Sequence, residues 1–302
     1  MKAVRFDKYG GVEVLYVADV PTPEPAAGEV LVKVKTAAIN PGESKIREGM
    51  FKDTWPATFP SGEGSDLAGI VTKVGAGGAN FKAGDEVLGF TDSRASHAEY
   101  VVVEKQNLAP KSPQVPWEVA GSLAVAGSTA YACVRAVSLK PRDKVAVSGA
   151  AGGVGSITIQ LAKRTGAEVI GIASPANREW LSAHGVQSVA YGPGLAEQLR
   201  KAGINAFIDT HGLGYVKLAV ELGVPRDRIN TIIDFAAAKE YGVKAEGGQS
   251  AKSASVLAEL AGLVASGGLE VPIAATFPLT EVRAAYKVVE QGHTRGKIVL
   301  LP

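Results

Sequence analysis

The chain has 302 residues, enough for two domains and a sizeable buried core. Apolar residues make up 46% of it and charged residues 21%, which excludes a disordered, collagenous or coiled-coil chain. Lysine and arginine total 32 against 30 acidic residues, and the resulting net charge of +2 offers no field that would draw nucleic acid or an anionic membrane.

Cys133 and the histidines at 97, 184, 211 and 293 are too scattered to supply a zinc site, so no metal is expected. One cysteine forbids an intrachain disulfide and suits a reducing compartment. The N-terminal MKAVRFDKYGG has no apolar stretch of signal-peptide length, and a cytoplasmic protein is expected.

In chain order, residues 1–117 read as short strands cut by Gly and Pro: KAVRFDK, VEVLYVADV, GEVLVKVKTAAIN, GIVTKVG, DEVLGF and AEYVVVEKQNLAP. Several alternate apolar and polar residues with period two, as half-buried antiparallel strands do, and a glycine-bearing turn from 75 leads to a Gly84-Asp85 hairpin signal. From about 118 the pattern changes. KVAVS, EVIGIAS, QSVAY, NAFIDT and RINTIIDF are predicted strands separated by helical segments that end at Gly166, Gly185, Gly203 and Gly223. Strands alternating with helices predict a doubly wound parallel sheet over 118–268. LEVPIAATFP is expected as its sixth strand, and the remainder of 269–302 is expected to return to the first domain.

Between KVAVS and the helix GVGSITIQLAKR stand Gly149, Ala150, Gly152, Gly153, Val154 and Gly155. A pyrophosphate on a helix N-terminus needs such a loop: a tight turn, backbone bare of side chains, and close helix-strand packing. An NAD-specific site carries an acid at the end of the second strand, but that end is Ala173-Ser174, followed by Asn177 and Arg178. Hydroxyl, amide and guanidinium donors suit a 2′-phosphate, so NADPH is the expected cofactor.

These residues, with INPGESKIREG at 39–49, PSGEGSDLAGIVTKVG at 60–75, FKAGDEVLGF at 81–90, VAGSTAYACV at 125–134 and the terminal GKIVL, resemble the medium-chain dehydrogenase/reductase superfamily. The likeness is to its zinc-free quinone oxidoreductase, or zeta-crystallin-like, branch and covers the whole chain. It implies an α/β protein with a GroES-like β-rich catalytic domain and a Rossmann domain. Zinc-dependent members place Cys where Asn40 stands and His near Ser65, so the implied chemistry is metal-free hydride transfer to a quinone or an α,β-unsaturated carbonyl. By the same resemblance Asn40, Glu43 and Lys45 stand at the catalytic centre, with Arg47 behind them and Asn40 donating to a substrate carbonyl. Thr129, Tyr191 and Lys297 contact the cofactor, Phe51 and Trp55 wall the substrate pocket, and a homodimer forms through edge strands near LEVPIAATFP. Met50 and Phe51 follow Gly49 where related enoyl reductases carry a tyrosine proton donor, so the proton source is left open. Asp209 and His211 fall at the end of the fourth strand, where such sheets bind ligands. The alternative reading is a non-catalytic NADPH-binding scaffold or regulatory protein.

Overall fold

A computed structural model describes residues 1–76 and 80–302, so the turn expected from 75 falls partly on residues outside the described ones. The chain forms two compact units, Met1–Val125 with Ser253–Pro302, and Ala126–Lys252.

In the first unit, β1 (Lys2–Phe6), β2 (Tyr16–Asp19) and β4 (Ser61–Gly62) make a small antiparallel sheet in the order β2-β1-β4, while β3 (Glu29–Ile39) belongs to a larger one. That larger sheet adds β5 (Asp66–Val74), β6 (Glu86–Phe90), β7 (Tyr100–Glu104) and β8 (Leu108–Pro110) to β3. β3 is its spine: Val30, Val32 and Val34 point into a core shared with Leu67, Val71 and Val101. Between β3 and β4 runs α1 (Pro41–Arg47), begun by a capping box in which Asn40 and Glu43 bond reciprocally and Pro41 fills the first turn. Short α2 (Trp117–Ala120) follows β8, and α3 (Ala124–Ala136) carries the chain onward.

The second unit holds a parallel sheet of β9 (Lys144–Ser148), β10 (Glu168–Ala173), β11 (Gln187–Ala190), β12 (Ala206–Asp209) and β13 (Ile229–Thr231), in the order β11-β10-β9-β12-β13. Its crossovers are α4 (Gly153–Arg164), α5 (Arg178–Ala183), α6 (Leu195–Ala202) and α7 (Tyr215–Glu221), with α8 (Phe235–Tyr241) after the last strand. Both faces are covered: Val145 and Val147 enter one apolar cluster and Ala146 the other. Gly166, Gly185, Gly203 and Gly223 all take left-handed φ at or just beyond helix ends, as the spacing predicts.

The sixth strand is a correction. LEVPIAATFP contributes β14 (Ile273–Pro278), but β14 pairs in parallel with β15 (Lys297–Leu301) at the end of the seven-stranded sheet of the first unit. Beside β13 lies instead a single parallel bridge, Asn230 to Lys244, fixed by Thr231 N to Lys244 O at 3.0 Å and Lys244 N to Ile229 O at 3.0 Å. β13 is also shorter than RINTIIDF suggests, because Thr231 Oγ1 accepts from Ile233 N and Asp234 N and turns the chain into α8. The return to the first unit comes at Ser253, which caps α9 (Ala254–Ala265), ahead of residue 269. After β14, α10 (Val282–Glu290) packs Val282, Ala285 and Tyr286 into the core with Phe6 and Ile298.

Candidate active site and nucleotide loop

In the second unit, β9 and β12 are neighbours whose crossovers run to opposite sides, so the loops after them flank the topological switch point where such sheets bind ligands. Gly149 takes φ +58, and a Cβ there would meet Thr210 Oγ1 at 2.9 Å, which shows how closely the two loops approach. A Cβ on Gly155 would stand 2.1 Å from Gly149 O, so only glycine lets α4 start this near the turn. Gly152 is the N-cap, and Ser156 N donates to its carbonyl in the helix's first backbone bond. The amides of Gly153, Val154 and Gly155 precede that bond and point out of the helix end, the arrangement that holds a pyrophosphate.

Asp209 braces this crevice. Buried completely, it accepts from Ser148 Oγ at 2.6 Å, His211 N at 3.0 Å, Gly212 N at 2.9 Å and Thr231 Oγ1 at 2.8 Å, tying β9, β12, β13 and the loop together. It has no valence left for a ribose, and His211 faces solvent. Ala150 is fully buried and its amide is engaged by Ile172 O, so it packs the loop rather than meeting a ligand. Thr129 is buried on α3. At the end of β10, Ser174 Oγ accepts from Ala176 N, Asn177 N-caps α5, and Arg178 opens that helix with its side chain exposed. Tyr191 is exposed after β11. The only acid of β10, Glu168, lies at the far end beside Lys144. These residues fit NADPH: a glycine cradle for the pyrophosphate, and a cation with hydrogen-bonding groups, but no carboxylate, where a 2′-phosphate would lie.

In the first unit the capping box of α1 forms one side of a buried polar cluster. Glu43 Oε1 accepts from Asn40 Nδ2 at 3.1 Å and Ser65 N at 3.0 Å, and its Oε2 accepts from Asn40 N at 2.9 Å and the Tyr286 hydroxyl at 3.1 Å. Asp66 accepts from Asn40 Nδ2 at 3.1 Å and from Val125 N, in the first turn of α3, at 2.6 Å. Lys297 Nζ reaches Asn40 Oδ1 at 2.5 Å, Ile39 O at 3.2 Å and Asp66 at 3.6 Å. Arg47 is fully buried, bonded to Glu63 at 2.9 Å and to Glu290 at 3.3 Å, and stacked on the Tyr286 ring. His97 Nε2 lies 3.2 Å from Ala38 O.

Burial acts on each group according to its charge. It pushes the Glu63 carboxyl up to about 8 against the pull of Arg47, and it raises Asp66, with Lys297 opposing. His97 is held low, so its ring is neutral, and the Tyr286 hydroxyl is raised well above its ordinary value. In the second unit, burial pushes the Cys133 thiol up to about 12, which leaves it unreactive.

Two expectations change here. Both Asn40 amide protons are spent on carboxylates, so Asn40 orders the cluster and has none left for a substrate carbonyl. Lys297 has three protein oxygens around its ammonium and is 4% exposed, so it is a core cation and not a phosphate ligand. Lys45 pairs with Glu48 on the open side of α1. Phe51 and exposed Trp55 pack on each other at 6.2 Å in the segment after α1. Glu63 and Asp66 fall within the 60–75 stretch, but nothing local to them, to His97 or to Tyr286 shows that the four meet; the fold of the first unit brings them together.

Two family models match the chain: an alcohol dehydrogenase GroES-like domain over residues 26–139 and a zinc-binding dehydrogenase over 181–300. The zinc of the second description does not fit these residues. Asn40 supplies no thiolate, the Lys297 ammonium already holds its oxygen, and a divalent cation there would face that charge. Among curated relatives, an NADPH-dependent alkenal/one oxidoreductase of Arabidopsis thaliana chloroplasts is 31% identical over all of this chain and 80% of its own length. Quinone oxidoreductase 1 of Escherichia coli is 27% identical over 99% of both chains. Among solved structures, the quinone oxidoreductase of Coxiella burnetii matches with TM-score 0.89 and 31% identity over 100% of this chain and 99% of that one. The Escherichia coli quinone oxidoreductase complexed with NADPH matches with TM-score 0.88 and 26% identity over 100% of both. A GroES-like unit, a doubly wound nucleotide unit and relatives that align from end to end have one meaning: this chain belongs to the quinone oxidoreductase branch of the medium-chain dehydrogenase/reductase superfamily.

Proposed function

We propose that the chain is an NADPH-dependent reductase that acts, without a metal, on quinones or on the activated double bond of α,β-unsaturated carbonyls. The observation that carries this reading is the nucleotide loop: a helix N-terminus cleared of side chains, followed one strand later by Ser174, Asn177 and Arg178 in place of an acid. The quinone and alkenal/one names of the relatives supply the substrate class. When bound, the reduced nicotinamide supplies the hydride.

This chain's own residues bind and orient. The α4 amides and helix dipole hold the pyrophosphate, and Arg178 with Ser174 and Asn177 receives the 2′-phosphate. Thr129 and Tyr191 complete the cofactor contacts. Glu43, held by four donors, stands at the catalytic centre, Lys45 adds positive charge for a developing oxyanion, and Phe51 with Trp55 offers an apolar wall to the acceptor.

No helix among the described residues is long and apolar enough to cross a membrane. We infer a cytoplasmic homodimer in which β14, at the open end of its sheet, pairs with the same strand of a second copy. The test is oxidation of NADPH and of NADH, followed in parallel with a simple quinone and a simple enone. NADPH-selective turnover of either acceptor supports the reading. Tight NADPH binding with no turnover of any acceptor overturns it in favour of a nucleotide-binding scaffold.

A further inference from the structure

Phe51 and Trp55 belong to a stretch of the first unit that lies mostly open, with Met50 65% and Trp55 51% exposed. Little apolar burial holds it, so its hydrogen bonds decide where it lies. Its inner bonds close turns, Lys52 N to Gly49 O at 3.2 Å and Trp55 N to Phe51 O at 2.6 Å. Turns of this kind give the stretch a shape without fixing it to the rest of the unit. Among the described residues, two side chains from elsewhere bond it. The Tyr9 hydroxyl oxygen accepts from Ala57 N at 2.8 Å, beside Phe59, whose ring packs on that of Tyr9. Arg94 donates from Nη2 to Trp55 O at 2.8 Å and from Nη1 to Pro56 O at 3.5 Å.

Arg94 stands on a fixed platform. The segment that carries it, between β6 and β7, is bonded on both sides of Arg94 to the chain around β4: Thr91 N to Ser65 O at 2.9 Å, Ser96 N to Gly64 O at 3.3 Å and His97 N to Glu63 O at 3.0 Å. A Cβ on Gly62 would collide with Arg94 O, so the two main chains lie against each other. Held there, Arg94 takes φ +53, the left-handed region that a residue with a Cβ enters under strain. Glycine or asparagine would fill that turn with less strain. Neither could reach residues 55 and 56. What arginine adds is a guanidinium fork that ends on two consecutive carbonyls. Strain kept at a residue whose side chain secures one particular stretch points to a use for that stretch. Because both acceptors are main-chain oxygens, the fork places the stretch whatever side chains it carries.

We propose that Arg94 is a positioning residue: it holds Phe51 and Trp55 in place as the acceptor wall, and so makes the site prefer fused-ring quinones to short-chain enones. The proposal rests on the reading above, in which the chain is a reductase and these two aromatics wall its acceptor. An apolar wall favours a ligand in proportion to the apolar area laid on it. The Phe51 and Trp55 rings, 6.2 Å apart, together offer a broad face. A fused-ring quinone has the area to use both rings, and a four-carbon enone does not. The fork grips the carbonyl of Trp55 itself, the residue that carries the larger ring. Without it the stretch is left to Tyr9 at one end and α1 at the other, and the large acceptor loses more than the small one. Arg94 acts through the wall and touches no reacting atom.

The test uses the whole chain and the variants Arg94→Asn, Arg94→Lys and Trp55→Ala. Asparagine tolerates the left-handed turn and is too short for the fork, so Arg94→Asn should melt at the native temperature or above it. Hydrogen exchange without cofactor reads the clamp itself. The Trp55 amide, bonded to Phe51 O, should exchange about tenfold faster in Arg94→Asn. With NADPH, the native protein should favour naphthoquinone over methyl vinyl ketone in kcat/KM, and that ratio should fall about tenfold in Arg94→Asn and in Trp55→Ala. The loss should lie in the naphthoquinone KM rather than in kcat, and Arg94→Lys, which keeps one charged donor, should recover part of it. Native-like exchange in Arg94→Asn, no native preference for naphthoquinone, or a native ratio in Arg94→Asn while Trp55→Ala lowers it, overturns the proposal. So does an Arg94→Asn that melts well below the native protein, since Arg94 would then serve the stability of the unit. A native ratio in Trp55→Ala refutes the wall, and oxidation of NADPH with neither acceptor refutes the reductase reading. In either case faster exchange in Arg94→Asn leaves the clamp standing and removes its role in acceptor choice.

Discussion

Lys297 Nζ stands 2.5 Å from the side-chain oxygen of Asn40, with Asp66 3.6 Å away. The last strand of the chain thus places an ammonium against the residue that replaces a metal-binding cysteine in zinc-dependent relatives. A fixed internal cation balances Asp66, and Asn40 bridges it to Glu43.

Lys297→Met should therefore act on stability. Removing one partner of a buried ion pair strands the other, at a cost of about 3–5 kcal/mol. NADPH affinity of the folded protein should stay within about threefold of native. Urea denaturation and fluorescence titration measure the two. Large loss of NADPH binding in a variant of native stability would restore Lys297 as a phosphate ligand.

Arg178→Ala tests the cofactor preference. The side chain is exposed at the start of α5. NADPH should bind about tenfold more weakly, from loss of one charge-assisted contact, and NADH should be unaffected. Equal weakening of both refutes the phosphate role.

The glycines of the loop are not equivalent. A methyl at Gly155 would lie 2.1 Å from Gly149 O, whereas one at Gly152 would sit 3.3 Å from the same atom. Gly155→Ala should push α4 off the turn, costing about 1–3 kcal/mol and weakening both cofactors together. Gly152→Ala should cost less in stability. Thermal melts of the pair check the order, and a milder effect at 155 contradicts the packing argument.

Much of the nucleotide unit was legible in the sequence because its determinants are local: each apolar run, the glycine loop and each helix-ending glycine fall within one βα step. The sixth strand was not. IAATFP alternates just as an edge strand of either sheet would, and only its pairing with Lys297–Leu301, at Ile273 to Lys297 and Phe277 to Leu300, assigns it. The glutamate of the capping box, Glu43, could be read from its position after Asn40, but its partners could not. Ser65, Tyr286 and His97 are far away in sequence, and nothing near Glu63 signals that Arg47 and Tyr286 will enclose it.

That enclosure has a sign in stability. The folded chain holds the Glu63 proton more tightly than the unfolded chain, so between the ordinary value of 4.5 and about 8 it binds more protons. The stability contributed by this group is full below 4.5 and is lost as pH rises through about 8. Glu63→Gln is neutral throughout and keeps an oxygen for Arg47 Nη1, so it escapes the loss. Its stability relative to the native chain should rise from pH about 5 to about 8 and level off above. His97 works in the opposite sense: its value is depressed, so its stability is present above 6.5 and fades as pH falls through the lowered value. Being common to both proteins, it cancels from the difference. Urea midpoints of the two proteins across this range measure that difference directly. A flat or falling difference would mean that Glu63 is ionised in the folded chain at neutral pH. A rising one would show that Glu63 keeps its proton through neutral pH in the folded chain, at a cost in stability at alkaline pH.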